Sequence, residues 1–248
     1  MLIRKRISML TPARRRGIEI LDDPTSDPAL AARSLRDVAL ANRLFGGRRA
    51  VLREVRPLLG QGHIANGVRS TLPMTLLDIG TGLGDIPHAV SRLAVRLRVP
   101  LVTVGLERDP SLAASAAARC TVTLAADAMD LPFDDRSVDI VTVSQVLHHF
   151  EGEASDALLR ECERVARVAV VIHDLRRSWF AVAGLWSVSF LLGFHPVSRN
   201  DGVVSILRGY TVAELRALVE RVTGRPARVR RSLGWRLTAT WRIAGGQP

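Results

Sequence analysis

The chain is almost without lysine, tyrosine and cysteine: among 35 basic residues only Lys5 is not arginine, Tyr210 is the single tyrosine, and Cys120 and Cys162 are the two thiols. Each scarcity closes off a class of function. With Lys5 as the sole lysine, no Gly-Lys-Ser or Gly-Lys-Thr follows any glycine turn, which excludes a phosphate-cradling P-loop. Two cysteines without metal-ligand spacing build neither a metal site nor a disulfide framework, and they fit a reducing cytoplasm. Aromatic residues are only 4% of the chain, too few to stack on bases. The formal charge of +11 is spread along the sequence, so it reads as a solvated arginine surface and disfavours nucleic acid as a partner. No apolar run of signal-peptide length separates Arg4-Lys5-Arg6 from Pro12 and Arg14-Arg15-Arg16, and no cleaved targeting segment is expected.

What is present suits one α/β core with a small appendage: 248 residues, 47% of them hydrophobic. After an irregular basic stretch, Asp27-Pro28 caps a helix whose Ala31, Leu35, Val38, Asn42 and Phe45 fall at helical spacing, and Gly46-Gly47 ends it. A second helix over 48–58 and a polar, glycine-bearing linker over 60–70 complete an N-terminal helical cap, 1–70, ahead of a core domain over 71–248. There, strands expected at 74–79, 101–106, 121–125, 138–143 and 168–172 alternate with helices at 86–97, 110–119 and 153–166. That alternation argues for a parallel sheet with helices on both faces. Thr211-Val212-Ala213-Glu214 is a capping box that opens a helix to about Val222, and 227–233 with 235–243 form an antiparallel pair around Gly234.

The first strand ends in Leu76-Leu77-Asp78-Ile79-Gly80-Thr81-Gly82-Leu83-Gly84-Asp85, an acid followed by three alternate glycines. A dinucleotide turn needs its last glycine where Asp85 stands, and that carboxylate would repel a pyrophosphate, so a less anionic nucleoside is favoured. Strand two ends in Glu107, placed to take both ribose hydroxyls, and strand three ends in Ala126-Asp127-Ala128-Met129 before Leu131-Pro132-Phe133. Strand four runs into Ser144-Gln145-Val146-Leu147-His148-His149-Phe150. In this order the four segments, Leu76 to His173, resemble the class I S-adenosylmethionine-dependent methyltransferases. The resemblance implies a Rossmann-like, seven-stranded, mostly parallel sheet with the last strand antiparallel. It also implies an S-adenosyl-L-methionine site built from Asp78, Gly80, Thr81, Gly82, Gly84, Glu107, Arg108, Asp127, Ala128, Met129 and Ser144, without metal. Two plainer roles stand beside it: Asp78 as organiser of the turn, and Asp127 as a cap.

Methyl transfer from a sulfonium requires positioning and water exclusion, and a base only when the acceptor begins protonated. Against a phenol a histidine suffices; His149 is the first candidate from its place in the family-like segment, with His148 beside it and His173 after strand five. Ser144-Gln145-Val146-Leu147 replaces the Asn/Asp-Pro-Pro-aromatic motif of enzymes that methylate nucleobase amines, which disfavours that substrate. An insertion at about 176–209 carries Ser178 to Phe194 without one charged residue. It reads as a buried helix, as an interfacial helix, or as the substrate lid that the family commonly inserts there. Asp22-Asp23-Pro24, Arg36-Asp37 and His195 to Gly202 are similar to bacterial small-molecule methyltransferases encoded near polyketide genes, which would bring His195 and Arg199 to the acceptor. The expected activity is methylation of a hydroxyl or ring carbon of a lipophilic aromatic or polyketide-derived molecule, in the cytoplasm, with peripheral membrane contact left open. A cofactor-binding regulator and an RNA-directed enzyme are the alternatives.

Overall fold

Apolar runs that do not alternate become strands covered on both faces. The computed structural model describes residues 11–15, 17–23, 27–62, 64–65, 68–69 and 72–243. Arg4-Lys5-Arg6 and the expected boundary at 70/71 lie outside the described residues. In chain order the elements are α1 (Pro28–Leu44), α2 (Gly47–Gly62), the short pair β1 (Ile64–Ala65) and β2 (Val68–Arg69), β3 (Met74–Ile79) and α3 (Asp85–Leu97). There follow β4 (Leu101–Glu107), α4 (Pro110–Ala116), β5 (Val122–Ala125), β6 (Val138–Ser144), α5 (Glu153–Val165) and β7 (Ala166–Leu175). The chain continues with α6 (Trp179–Leu191), α7 (Pro196–Arg208), α8 (Val212–Thr223), β8 (Arg228–Ser232) and β9 (Arg236–Arg242).

Seven strands form one sheet in the order β5-β4-β3-β6-β7-β9-β8, parallel except for β9, which runs antiparallel to both β7 and β8. Successive side chains of β3 go to opposite faces: Leu77 and Ile79 join Val141, Leu158, Leu215 and Trp241, while Leu76 joins Val55, Leu59, Val90 and Ile140. Thus α5 and α8 cover one face, and α2 with α3 the other. Although the sequence groups α2 with the N-terminal cap, its Val51, Val55 and Leu59 belong to the core of the sheet. The strand order reverses at β3, with β4 and β5 laid down on one side and β6 and β7 on the other, and the crevice beyond the carboxyl ends of the parallel strands at that point is the usual ligand site of an open α/β sheet.

Two expectations are corrected. The linker over 60–70 begins as the last turn of α2 and continues as the β1–β2 pair, Ile64 opposite Arg69. The fifth strand is longer than 168–172, because an inner strand between β6 and β9 finds hydrogen-bonding partners along Ala166–Leu175. His173 therefore lies within the strand and not beyond its end.

The insertion is a helical pair, α6 and α7, closed by a turn through Gly193 at φ +65°. Along α7 runs the N-terminal segment, which makes a 3-10 turn at Ile20–Asp22 and is held by side chains far away in sequence. Asp201 accepts the Ile20 and Leu21 N–H groups at 2.9 and 3.1 Å. Arg208 donates to the Gly17 carbonyl at 2.8 Å, to Glu19 at 3.1 Å and to Asp22 at 2.9 Å. Asp201→Ala leaves two N–H groups without their acceptor, which costs about 1–3 kcal/mol. Urea unfolding should show that loss, and trypsin should cut after Arg15 faster than in the parent protein.

Candidate active site

The chain must turn sharply after β3, and Gly80, Gly82 and Gly84 all take the left-handed backbone conformation there, φ +66°, +55° and +71°. At Gly80 a second constraint applies: a Cβ would meet Val146 Cγ2 at 2.3 Å. The turn is organised from beneath by Asp78, whose two carboxylate oxygens accept the hydroxyls of Thr81 at 2.9 Å and Thr142 at 2.6 Å. Burial pushes the Asp78 carboxyl up to about 7. Glu107, at the end of β4, reaches back to accept the Gly82 N–H at 2.6 Å. Its burial also raises its pKa, against the Gly82 and Arg108 backbone N–H groups that favour the carboxylate. Asp85 opens α3 with its Oδ2 buried and without a hydrogen-bond partner among the described residues. Desolvation raises its carboxyl too, opposed by the charge of Arg48.

Asp78, Gly80, Thr81, Gly82, Asp85 and Glu107 line one cavity of about 930 Å³, together with Arg108, Asp127, Ala128, Met129 and Ser144; Gly84, expected at the same site, stands outside the lining, against Arg119 and Cys120. Asp127 stands in a turn and accepts the Met129 N–H at 2.9 Å through one oxygen. The cavity continues under a roof of three helices: Leu35 and Val38 from α1, Ala181, Leu185 and Val188 from α6, and Ile206 from α7. One end is thus polar and lined by glycine backbone, the other mainly apolar, with Ser34, Asp37, Ser198 and Ser205 of the same helices among its lining.

At the junction stand His148 and His149, in a 3-10 turn after β6. His148 is buried, and Asp174 grips it twice: Oδ2 accepts its backbone N–H at 3.0 Å, and Oδ1 lies 2.7 Å from Nδ1. Its Nε2 is buried and has no hydrogen-bond partner among the described residues, the Glu19 carboxylate lying 3.8 Å off. Desolvation works against the imidazolium, but the charge and hydrogen bond of Asp174, with Glu19 beyond, raise its pKa to about 9. Asp174 is correspondingly held below the usual carboxylate range: burial opposes the charge, and His148 outweighs it. His149 is partly exposed and turns Nδ1 to Asp22 and Arg208, each at 3.2 Å.

The remaining sequence candidates stand elsewhere. His173 is fully buried, outside the cavity lining, with Nδ1 2.8 Å from the Ser144 hydroxyl. Desolvation and the nearby Arg236 charge depress its pKa to about 3, so it is a neutral structural group. His195 caps α7 by accepting the Val197 N–H, and Arg199 lies 3.9 Å over the Phe190 ring; neither lines this cavity. Glu19, Asp174 and Arg208 are the groups that sequence reading missed. The only local signals were an acid in a basic run for Glu19 and an acid beside a histidine for Asp174. Glu19, His148 and His149 offer atoms within 4.8 Å of one another, as a metal site would. However, Arg208 lies 3.1 Å from Glu19 and 3.2 Å from His149, so a guanidinium already neutralises the position a cation would take.

Comparison with known proteins agrees with this geometry. Residues 77–171 match the family model described as a methyltransferase domain. A demethylmenaquinone methyltransferase of Thermotoga maritima is 33% identical over 97 residues, 38% of this chain and 40% of the relative, so the chain spans well under half the length of the curated protein it matches. Among solved structures, a SAM-dependent methyltransferase from Aquifex aeolicus superposes with a TM-score of 0.55 at 18% identity, covering 89% of this chain and all of that one. Magnesium protoporphyrin IX methyltransferase from Synechocystis, with bound SAH, gives 0.52 at 15% identity over 80% of this chain and 84% of its own. Residues 77–171 of the chain thus match a methyltransferase domain, and the fold is shared over 89% of the chain with the Aquifex aeolicus protein.

Gly80→Ala forces a side chain into left-handed backbone and against Val146, at a combined cost of about 2–4 kcal/mol. Pairing it with Val146→Ala relieves the overlap alone, and denaturant unfolding should recover only part of the loss.

Proposed function

We propose that this protein transfers a methyl group from S-adenosylmethionine to a hydroxyl, or an adjoining ring carbon, of a lipophilic aromatic molecule. The observation that carries the reading is the single cavity joining the glycine turn to an apolar roof, with His148 at the junction. The residues present fit the cofactor. Bare backbone at Gly80 to Gly82 admits close approach, Glu107 suits the ribose hydroxyls, and the Asp127–Met129 turn suits adenine. The unpartnered Asp85 Oδ2 is a site for the ammonium of the amino-acid end, and the same carboxylate disfavours a pyrophosphate. When bound, the cofactor supplies an electrophilic methyl on a positively charged sulfur.

The chain's own residues have three tasks. The roof of α1, α6 and α7 excludes water and favours an apolar acceptor. Asp174 fixes the His148 ring and directs Nε2 to the cavity, where it accepts the proton of an acceptor hydroxyl as the oxygen or the activated ring carbon becomes nucleophilic. Arg208 holds Glu19 and Asp22 in place, keeping the N-terminal segment closed over the histidines. The demethylmenaquinone methyltransferase likeness supports an aromatic ring carrying a hydrophobic tail, and polyketide-derived phenols have the same chemistry. Two free cysteines support a cytoplasmic location.

His148 carries a pKa raised to about 9, so it is protonated at neutrality, and the base form grows as pH rises through 9. For an alkylated phenol acceptor, kcat/KM should therefore climb about tenfold per pH unit from 7 and level off near 9. His148→Gln should lower it by about 10²–10⁴-fold and flatten the profile, while His149→Gln keeps the rise. Methyl incorporation that is unaltered by His148→Gln at every pH would remove His148 from the chemistry.

A further inference from the structure

A helix apolar all round is normally buried all round. The helix α6 is apolar all round and is covered on one side only. Its inner residues Ala181, Leu185 and Val188 line the cavity, while Trp179, Phe180, Trp186, Phe190 and Leu191 expose 42, 55, 57, 52 and 85% of their surface. Four of the eleven aromatic residues of an aromatic-poor chain stand on this one outer face. An uncovered patch of large aromatic side chains marks an interaction surface.

Charge decides what covers it. No Asp or Glu occurs from Leu175 to Asn200, and arginines surround the patch. Arg15 lies 5.8 Å from the Trp179 ring centre, Arg199 3.9 Å from that of Phe190, and Arg33 reaches the Gly193 carbonyl at the end of the helical pair. Asp37, which approaches the same turn, is taken up by the His195 N–H at 3.0 Å. Between α6 and α7, on the side away from the main cavity, a groove of about 450 Å³ is lined by Val182, Trp186, Pro196, Arg199, Asn200 and Val203. The Nε of Arg199 is buried there without a hydrogen-bond partner among the described residues. Apolar walls beside a guanidinium whose Nε has no partner suit an acyl chain below an anionic headgroup. No helix among the described residues is long and apolar enough to cross a membrane; α6, at 13 residues, is about 20 Å long against a hydrocarbon core of about 30 Å. Aromatic rings, flanking arginines and insufficient length together describe a helix that lies in the interface.

We infer that α6 docks on an anionic phospholipid bilayer through Trp179, Phe180, Trp186, Phe190 and Leu191, with Arg199 holding a lipid phosphate in the α6–α7 groove. Resting on the proposed reading of a lipophilic acceptor, the same helix would then stand between bilayer and cavity, so that the acceptor enters without crossing water.

Co-flotation with vesicles tests the docking without acceptor or methyl transfer, so its failure leaves the proposed activity standing, and loss of that activity leaves the docking standing. Vesicles of phosphatidylcholine with 30 mol% phosphatidylglycerol should bind the protein at least tenfold more tightly than pure phosphatidylcholine. The double variant Trp186→Ser/Phe190→Ser should lose at least tenfold of that affinity, and Arg199→Gln should lose most of the preference for phosphatidylglycerol, both with unchanged cofactor affinity and thermal midpoint. Should the double variant fold poorly, brominated lipids in the same vesicles should quench the tryptophan emission of the unaltered protein. Equal binding to both vesicles, no quenching, retained binding by a folded double variant, or a dimer that the same substitutions dissociate would overturn the inference.

Discussion

The pairing of Asp174 with His148 is the interaction on which the site depends. One carboxylate, fully buried on an inner strand, accepts both the backbone N–H and the ring of a histidine from the turn after β6. Breaking such a buried pair leaves a charge without compensation, typically costing about 3–5 kcal/mol. The pair also sets direction: with Nδ1 committed to Asp174, only Nε2 is left for another group, and it lies 3.8 Å from the Glu19 carboxylate. Glu19 lies beyond it, and through Glu19 and Arg208 the N-terminal segment and α7 are drawn to the same point.

The cavity is therefore assembled from three parts of the chain that share little local sequence. The sheet edge supplies the glycine turn, Glu107 and Asp127, positioned by parallel register between β3, β4 and β5. The insertion after β7 and the helix α1 supply an apolar roof. The N-terminal segment, tied along α7 by Asp201 and Arg208, closes the side. Cap and sheet are joined by polar links as well as packing: Asn42 of α1 accepts from Gln145 at 2.6 Å, and Gln145 in turn accepts from the buried Arg236 of β9 at 2.5 Å.

Much of this was legible in the sequence where the physics is local. Glycines at alternate positions after an apolar strand announce a left-handed turn, and an acid at the end of each following strand falls at the same edge by the geometry of a parallel sheet. Asp85 in place of a glycine already spoke against a dinucleotide. The acceptor side was harder to read because its contacts are remote: Ser205 donates to Glu19 across 186 positions, and Arg208 to Asp22 across the same interval. His148 and His149 are adjacent, and no periodicity distinguishes the one that Asp174 claims from the one that Asp22 and Arg208 take. His173 was misplaced because the end of an inner strand is set by its neighbours β6 and β9, not by its own apolar run. The helix α6 shows the same limit, since an uncharged stretch fits a buried, roofing or interfacial helix until its two faces are seen.

Calorimetric titration of the protein with S-adenosylmethionine, set against a nicotinamide dinucleotide, tests the central claim most directly. The account predicts saturable binding of S-adenosylmethionine, at least tenfold weaker in Glu107→Ala, and no measurable binding of the dinucleotide at the same concentrations. Absence of saturable S-adenosylmethionine binding, or tighter binding of the dinucleotide, would contradict it.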